Sequence, residues 1–179
     1  SHCVALTMGT PGETADEIRF ATTPSSLGLV LVAVGDRGIR AVLIGDDAAA
    51  LRDDLDQRFR GAILQRAEPA LASALRQVVE GIENPAREHD LVFDVRGSEF
   101  QRRVWDALRA IPVSETRSYA QIAKAIGAPT SVRAVAAACA ANPIAVLIPC
   151  HRVVRGDGSL SGYRWGVERK SAFLDRESA

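Results

Sequence analysis

The sequence predicts an α+β protein, with a small sheet covered by helices in its first half and a mostly helical second half. Three β-rich runs broken by turn residues lie before residue 46, whereas from Gly97 onward apolar residues recur at helical spacing. The charge divides at the same place. Residues 1–95 hold 9 Lys+Arg against 15 Asp+Glu and residues 96–179 hold 13 against 7, so a neutral chain carries −6 in one half and +6 in the other.

Residues 1–16 are small, polar and aperiodic and read as a flexible leader. The runs Ile18–Thr23, Leu27–Val34 and Ile39–Ile44 are strands, joined by hairpin signals at Pro24–Gly28 and Gly35-Asp36-Arg37-Gly38. Asp46 and Asp47 open a helix presenting Leu51, Leu55 and Phe59. A second helix follows Pro69, with Leu71, Leu75, Val78, Val79 and Ile82 at helical spacing, and Asn84-Pro85 ends it. Leu91–Val95 reads as one more short strand. No catalytic constellation occurs in this half, so residues 17–96 read as a scaffold lobe.

Residues 97–179 form the second lobe. Ser98 is positioned to cap a helix that presents Phe100, Val104, Trp105, Leu108 and Ile111. Ser118 begins the next, with Tyr119, Ile122, Ala123 and Ile126, closed by Gly127. Thr130 or Ser131 caps a third, Ala-rich helix from Val132 to Ala141. These two short helices and their Gly-containing turn fit a helix-turn-helix, a pattern that many non-DNA-binding αα-hairpins share. Ile144–Ile148 reads as a buried strand, Arg155–Gly166 as a glycine-rich loop, and Val167–Glu177 as a closing helix with Val167, Phe173 and Leu174 inward.

With 47% hydrophobic and 25% charged residues the chain is of ordinary globular composition. It has no apolar stretch of about 18 residues, so no membrane span is expected. The amino terminus lacks the layout of a secretory signal, and three scattered cysteines do not suggest a disulfide framework, so a cytosolic protein is expected. Cys3, Cys139, Cys150, His2, His89 and His151 show no metal-ligand spacing, and no metal or cofactor is implied. The positive second half is what a phosphate-contacting lobe needs.

The chemistry concentrates at Pro149-Cys150-His151-Arg152-Val153. A thiolate is the strongest side-chain nucleophile, and it needs a base or nearby positive charge to form at neutral pH. His151, Arg152 and Arg155 supply candidates, through a bridging water or a local turn for His151. Cys139, inside the Ala-rich helix, reads as an inert buried thiol. The loop after Cys150 offers backbone amides, hydroxyls and aromatic faces suited to lining a base pocket.

Pro149-Cys150-His151-Arg152-Val153, preceded by Asn142-Pro143, resembles the active-site signature of O6-alkylguanine-DNA alkyltransferases (methylated-DNA–protein-cysteine methyltransferases). Ser118-Tyr119-Ala120-Gln121-Ile122-Ala123 is similar to that family's first DNA-binding helix, and Val132-Arg133-Ala134-Val135-Ala136 to its recognition helix. Arg155–Trp165 is most similar to the bacterial adaptive-response (Ada) members. The likeness spans 97–177 strongly and the first half in element order. It implies a ribonuclease-H-like first lobe and a winged-helix-like motif in the second. It implies that Cys150 takes the alkyl group from guanine O6 irreversibly, once per molecule, with O4-alkylthymine a second possible substrate.

By the same resemblance His151 is the base, Glu177 orients it, and Asn142 holds the active-site segment. Tyr119 pushes the flipped nucleotide's phosphate and donates a proton to the departing base. Arg133 fills the gap left in the stack; Ser118, Ala134 and Ala138 join the DNA contacts; Pro149, Val153, Tyr163 and Arg164 line the base pocket. The partner implied is double-stranded DNA containing alkylated guanine, bound by a monomer without a cofactor. Two other readings compete: a non-catalytic lesion-binding or helix-turn-helix module, whose flagging members lack the cysteine present here, and a cysteine hydrolase, which needs a distant histidine where only His2 and His89 remain.

Overall fold

The computed structural model describes residues 16–87 and 89–178. The leader read over 1–16, apart from Asp16, lies outside them. Three antiparallel strands, β1 (Glu17–Ser25), β2 (Gly28–Gly35) and β3 (Gly38–Gly45), follow one another through the two expected hairpins. Val30, Leu31, Val32 and Ala33 of β2 are all fully buried, as a central strand covered on both faces requires. Helix α1 (Ala48–Arg58) is capped by Asp47, whose carboxylate accepts from the Ala49 amide.

A fourth strand, β4 (Ile63–Arg66), pairs parallel to β1 and gives the order β3-β2-β1-β4. The sequence reading missed it, since four residues with a half-exposed Ile63 and a polar Gln-Arg end carry no strand periodicity. Helix α2 (Glu68–Glu83) then buries Leu71, Leu75, Val78 and Ile82.

The free edge of β3 is not left open. Ile39 donates to Val92 O and accepts from the Asp94 amide, and Val42 donates to Pro143 O and accepts from the Ala145 amide. Leu91–Val95 is therefore a single parallel bridge at Phe93 and not the strand expected. Two irregular segments, one of them leading to Cys150, complete the sheet where another chain would otherwise pair.

Helices α3 (Glu99–Arg109), α4 (Tyr119–Ala125) and α5 (Val132–Ala140) make up the second half. Ser98 and Ser118 each close a capping box, with Gln101 and Gln121 returning the bond. Ser131 occupies the cap position of α5 without a side-chain bond. Strands β5 (Arg117–Ser118) and β6 (Val153–Val154) pair in parallel beside the helices, and α6 (Val167–Ser178) closes the chain. Of its residues expected to face inward, Phe173 is buried but Val167 is 44% exposed; Lys170 and Glu177 are the buried companions of Phe173.

The β2–β3 hairpin depends on Gly38, at φ +145°, where an added Cβ would lie 2.5 Å from Val92 O. Gly38→Ala combines backbone strain with a clash against main chain, and is expected to lower unfolding free energy by roughly 2–4 kcal/mol. Urea denaturation, read as a lower midpoint at constant slope, checks this.

Candidate active site

The segment expected as a strand at Ile144–Ile148 is a tight turn. Only Ile144 bridges to the sheet, and Val146 then adopts a left-handed φ of 66°. The reason is Asn142, which is fully buried. Its Oδ1 accepts from the Ile144 amide, while its Nδ2 lies 3.1 Å from Ile144 O and 2.9 Å from Ile148 O. A side-chain amide thus supplies the hydrogen bonds that a partner strand would have given. Residues Cys150–Arg152 follow as a single 3-10 turn, so the nucleophile's neighbours are not in the alternating geometry of a strand.

Cys150 Sγ, 3.3 Å from Asn142 Nδ2, belongs to a residue only 5% exposed. Burial pushes its thiol up to about 11, against the smaller opposing effects of the Asn142 bond and the Lys170 ammonium. At neutral pH the resting nucleophile is a thiol. His151, fully buried, places Nε2 2.6 Å from Glu177 Oε2. Burial lowers the pKa of His151, outweighing the attraction of Glu177, so the imidazole is neutral. Because a carboxylate can only accept, Nε2 carries the hydrogen, and Nδ1, buried without a protein partner, is the basic nitrogen.

Arg152 does not serve the thiol as the sequence suggested. Its Nε and Nη2 donate to Glu177 at 2.8 and 3.0 Å, and Nη1 donates to Ile111 O. The cation that acts on Cys150 is Lys170, whose Nζ donates to Val153 O at 2.7 Å and Ser161 Oγ at 3.0 Å. Sequence reasoning missed Lys170. The available signal was helical: positions 170, 173 and 177 fall on one face, and that face is the buried one.

Beside Cys150 opens a cavity of about 540 Å³, lined among others by Tyr119, Cys139, Ser161, Tyr163 and Arg164. Tyr119 Oη is hydrogen-bonded to Ser161 Oγ, linking it to Lys170, and burial raises the phenol so that it stays protonated. The Cys139 thiol is pushed up to about 12 by burial and by Cys150 beside it, in keeping with its inert reading. Two expected lining residues are corrected. Val153 is fully buried and turns its carbonyl to Lys170, and buried Pro149 lines a separate cleft with Arg87 and Arg109.

On α5, Arg133 and Ala134 are exposed, as a DNA-facing surface needs. Ala138 is not, being 2% exposed with its carbonyl accepting from Trp105 Nε1; it packs inward, because the helix has a buried side as well. Ser118 is half-buried and its Oγ accepts from the Gln121 amide as the cap of α4.

Burial raises the Glu177 carboxyl, but the hydrogen bonds and charges of His151 and Arg152 outweigh it and bring the pKa down to about 2 from 4.5. A depressed carboxylate contributes stability that is present above about pH 4.5 and lost as pH falls toward 2. Acid titration followed by circular dichroism is expected to show that loss. Glu177→Gln, which strands the Arg152 charge, is expected to be destabilised by about 3–5 kcal/mol at neutral pH and to flatten the acid dependence.

Residues 99–179 match the family model described as "6-O-methylguanine DNA methyltransferase, DNA binding domain". The chain is 51% identical over 161 residues to the "Bifunctional transcriptional activator/DNA repair enzyme Ada" of Escherichia coli, covering 90% of this chain and 46% of that one. It therefore spans about half the length of that relative. The inducible methylated-DNA–protein-cysteine methyltransferase of Bacillus subtilis is 40% identical over 121 residues, 68% of either chain. Mycobacterium tuberculosis OGT, solved in complex with DNA, superposes with a TM-score of 0.76 at 35% identity, covering 89% of this chain and 92% of that one. With relatives at 35–40% identity covered over two thirds or more of their length, and with the family model matching its second half, the chain belongs to the 6-O-methylguanine DNA methyltransferase family.

Proposed function

We propose that this protein reverses alkylation damage by moving a methyl or larger alkyl group from O6 of guanine in duplex DNA onto Cys150. The observation that carries this reading is the placement of Cys150 at the edge of a cavity large enough for a base, with Asn142 on its sulfur and, in the same turn, His151 held by Glu177 of α6. The relatives, a DNA repair enzyme and a methylated-DNA–protein-cysteine methyltransferase by name, support it. Residues 97–179 hold this machinery and 17–96 buttress it. A monomer in the bacterial cytosol, where its DNA lies, is part of the proposal.

The target carbon is stacked inside a duplex, so the nucleotide has to swing out into the cavity. Exposed Arg133 on α5 enters the vacated stack, and Tyr119 crowds the flipped nucleotide's phosphate. The thiol proton passes to His151 Nδ1 through a water while sulfur attacks the alkyl carbon in line. The S–C bond forms as the C–O6 bond breaks, and its electron pair goes to the guanine ring. The Tyr119 phenol, kept protonated by its burial, donates to the departing base and is refilled through Ser161. Nothing among the described residues reverses a thioether, so each molecule acts once.

Intact-protein mass spectrometry after exposure to duplex containing O6-methylguanine tests this directly. The expected gain is one methylene, about 14 Da, saturating at one per chain, mapping to Cys150 and absent in Cys150→Ser. Lesion binding with unchanged mass would overturn the transfer and favour a lesion-flagging module. The single-turnover rate is expected to hold its plateau as pH falls to 6.5 and to decline only below it, since burial keeps the His151 pKa under that ordinary value. Tyr119→Phe is expected to slow the chemical step roughly 10²-fold or more.

A further inference from the structure

The loop that walls the cavity is thinly held. An added Cβ at Gly156, Gly158 or Gly162 would meet nothing within 4 Å, so the loop passes three positions without close neighbours. Its turn at Arg155–Ser159 is closed by its own backbone bonds and by Asp157. Tyr163 packs edge-on against Phe173 of α6, and two polar side chains tie the rest to other elements. Ser161 is tied to Lys170 and Tyr119, and Arg164 Nη2 reaches 2.9 Å to Asp54 Oδ1 on α1, in the opposite half of the chain.

Asp54 is itself fixed. The same Oδ1 accepts from Arg58 Nε one helical turn on, at 3.3 Å, and the Arg58 Nη2 beyond is buried without a protein partner. Burial first, and then the Arg164 charge beside it, lower the Arg58 pKa. One carboxylate therefore lies between two guanidiniums, with its own exposure at 26% and that of Arg164 at 38%. Another interlobe contact, Arg169 donating to Asp46 and Leu27 O, anchors α6 and donates to the loop at Trp165 O.

We infer that Asp54 is a positioning residue that holds Arg164 in the cavity wall and so sets how large an alkyl group the cavity admits. This rests on the transfer reading above. The negative helix of the first half thereby acts on specificity without touching the base. Losing the carboxylate frees the Arg164 side chain and lets the Gly162-Tyr163-Arg164 segment move outward, which widens the cavity mouth more than it alters the path to Cys150. A half-exposed ion pair biases such a loop by a few-fold only.

The test is single-turnover transfer from two duplexes, one carrying O6-methylguanine and one O6-benzylguanine. Asp54→Asn is expected to raise the benzyl-to-methyl rate ratio roughly threefold to fivefold, Asp54→Glu to return it toward the parent value, and Asp54→Asn to add nothing in an Arg164→Gln background. An unchanged ratio in Asp54→Asn, or an equal effect with Arg164 absent, overturns the inference. A parent protein that transfers neither group strikes the transfer reading instead. Hydrogen exchange then decides the inference alone: amides 156–164 exchange faster in Asp54→Asn and recover in Asp54→Glu, or the latch does not exist.

Discussion

A single buried carboxamide determines the shape of the reactive segment. Asn142 ends the Ala-rich helix and reaches forward to Ile144, Ile148 and Cys150, so a six-residue excursion through a left-handed valine closes on itself. A left-handed β-branched residue costs about 1–3 kcal/mol and persists only where its surroundings over-determine it. Here they do, since Pro143 O and the Ala145 amide are pinned to β3 on one side and the Asn142 amide ties the inside. Without that amide Ile144 O would lose its donor, at roughly 1–3 kcal/mol, Ile148 O would keep only the Cys150 amide, and the sulfur would lose its aim.

Around this turn the charges are arranged to keep the nucleophile quiet. The thiol is buried and protonated, the imidazole is buried and neutral, and the deep Glu177 carboxylate is engaged by Arg152 and His151. Lys170 is fully buried with a carbonyl and a hydroxyl as its partners, and burial lowers its pKa. A buried, protonated thiol of this kind resists oxidation and stray alkylation, and in the proposed transfer His151 and Tyr119 are already in place beside it.

Much of this was legible before any coordinates. The two hairpins, the Ser98 and Ser118 caps, and the Pro-Cys-His-Arg run are local signals, each written in turn chemistry or side-chain type. What escaped depended on contacts distant in sequence. An apolar run of five residues cannot tell a strand from a buried turn, and although resemblance gave Asn142 the task of holding the segment, nothing local signalled the turn it imposes. The direction of Arg152 is fixed by a glutamate 25 residues later, and the burial of Lys170 by the packing of a whole helix face. Ala138 and Pro149 lie in family motifs, yet Ala138 packs inward against Trp105 and Pro149 lines a cleft apart from the one beside Cys150.

The near-absence of lysine has a practical corollary. Of the chain's two lysines, Lys170 is sealed in the interior, and Lys124 stands exposed in the last turn of α4, within the helix-turn-helix. Amine-directed chemistry, whether an enzyme attaching an acyl group or a reactive dye, therefore meets one side-chain target on the folded surface. Any such tag is carried to the helix pair proposed to meet the duplex, as a single-site reporter or a single-site block.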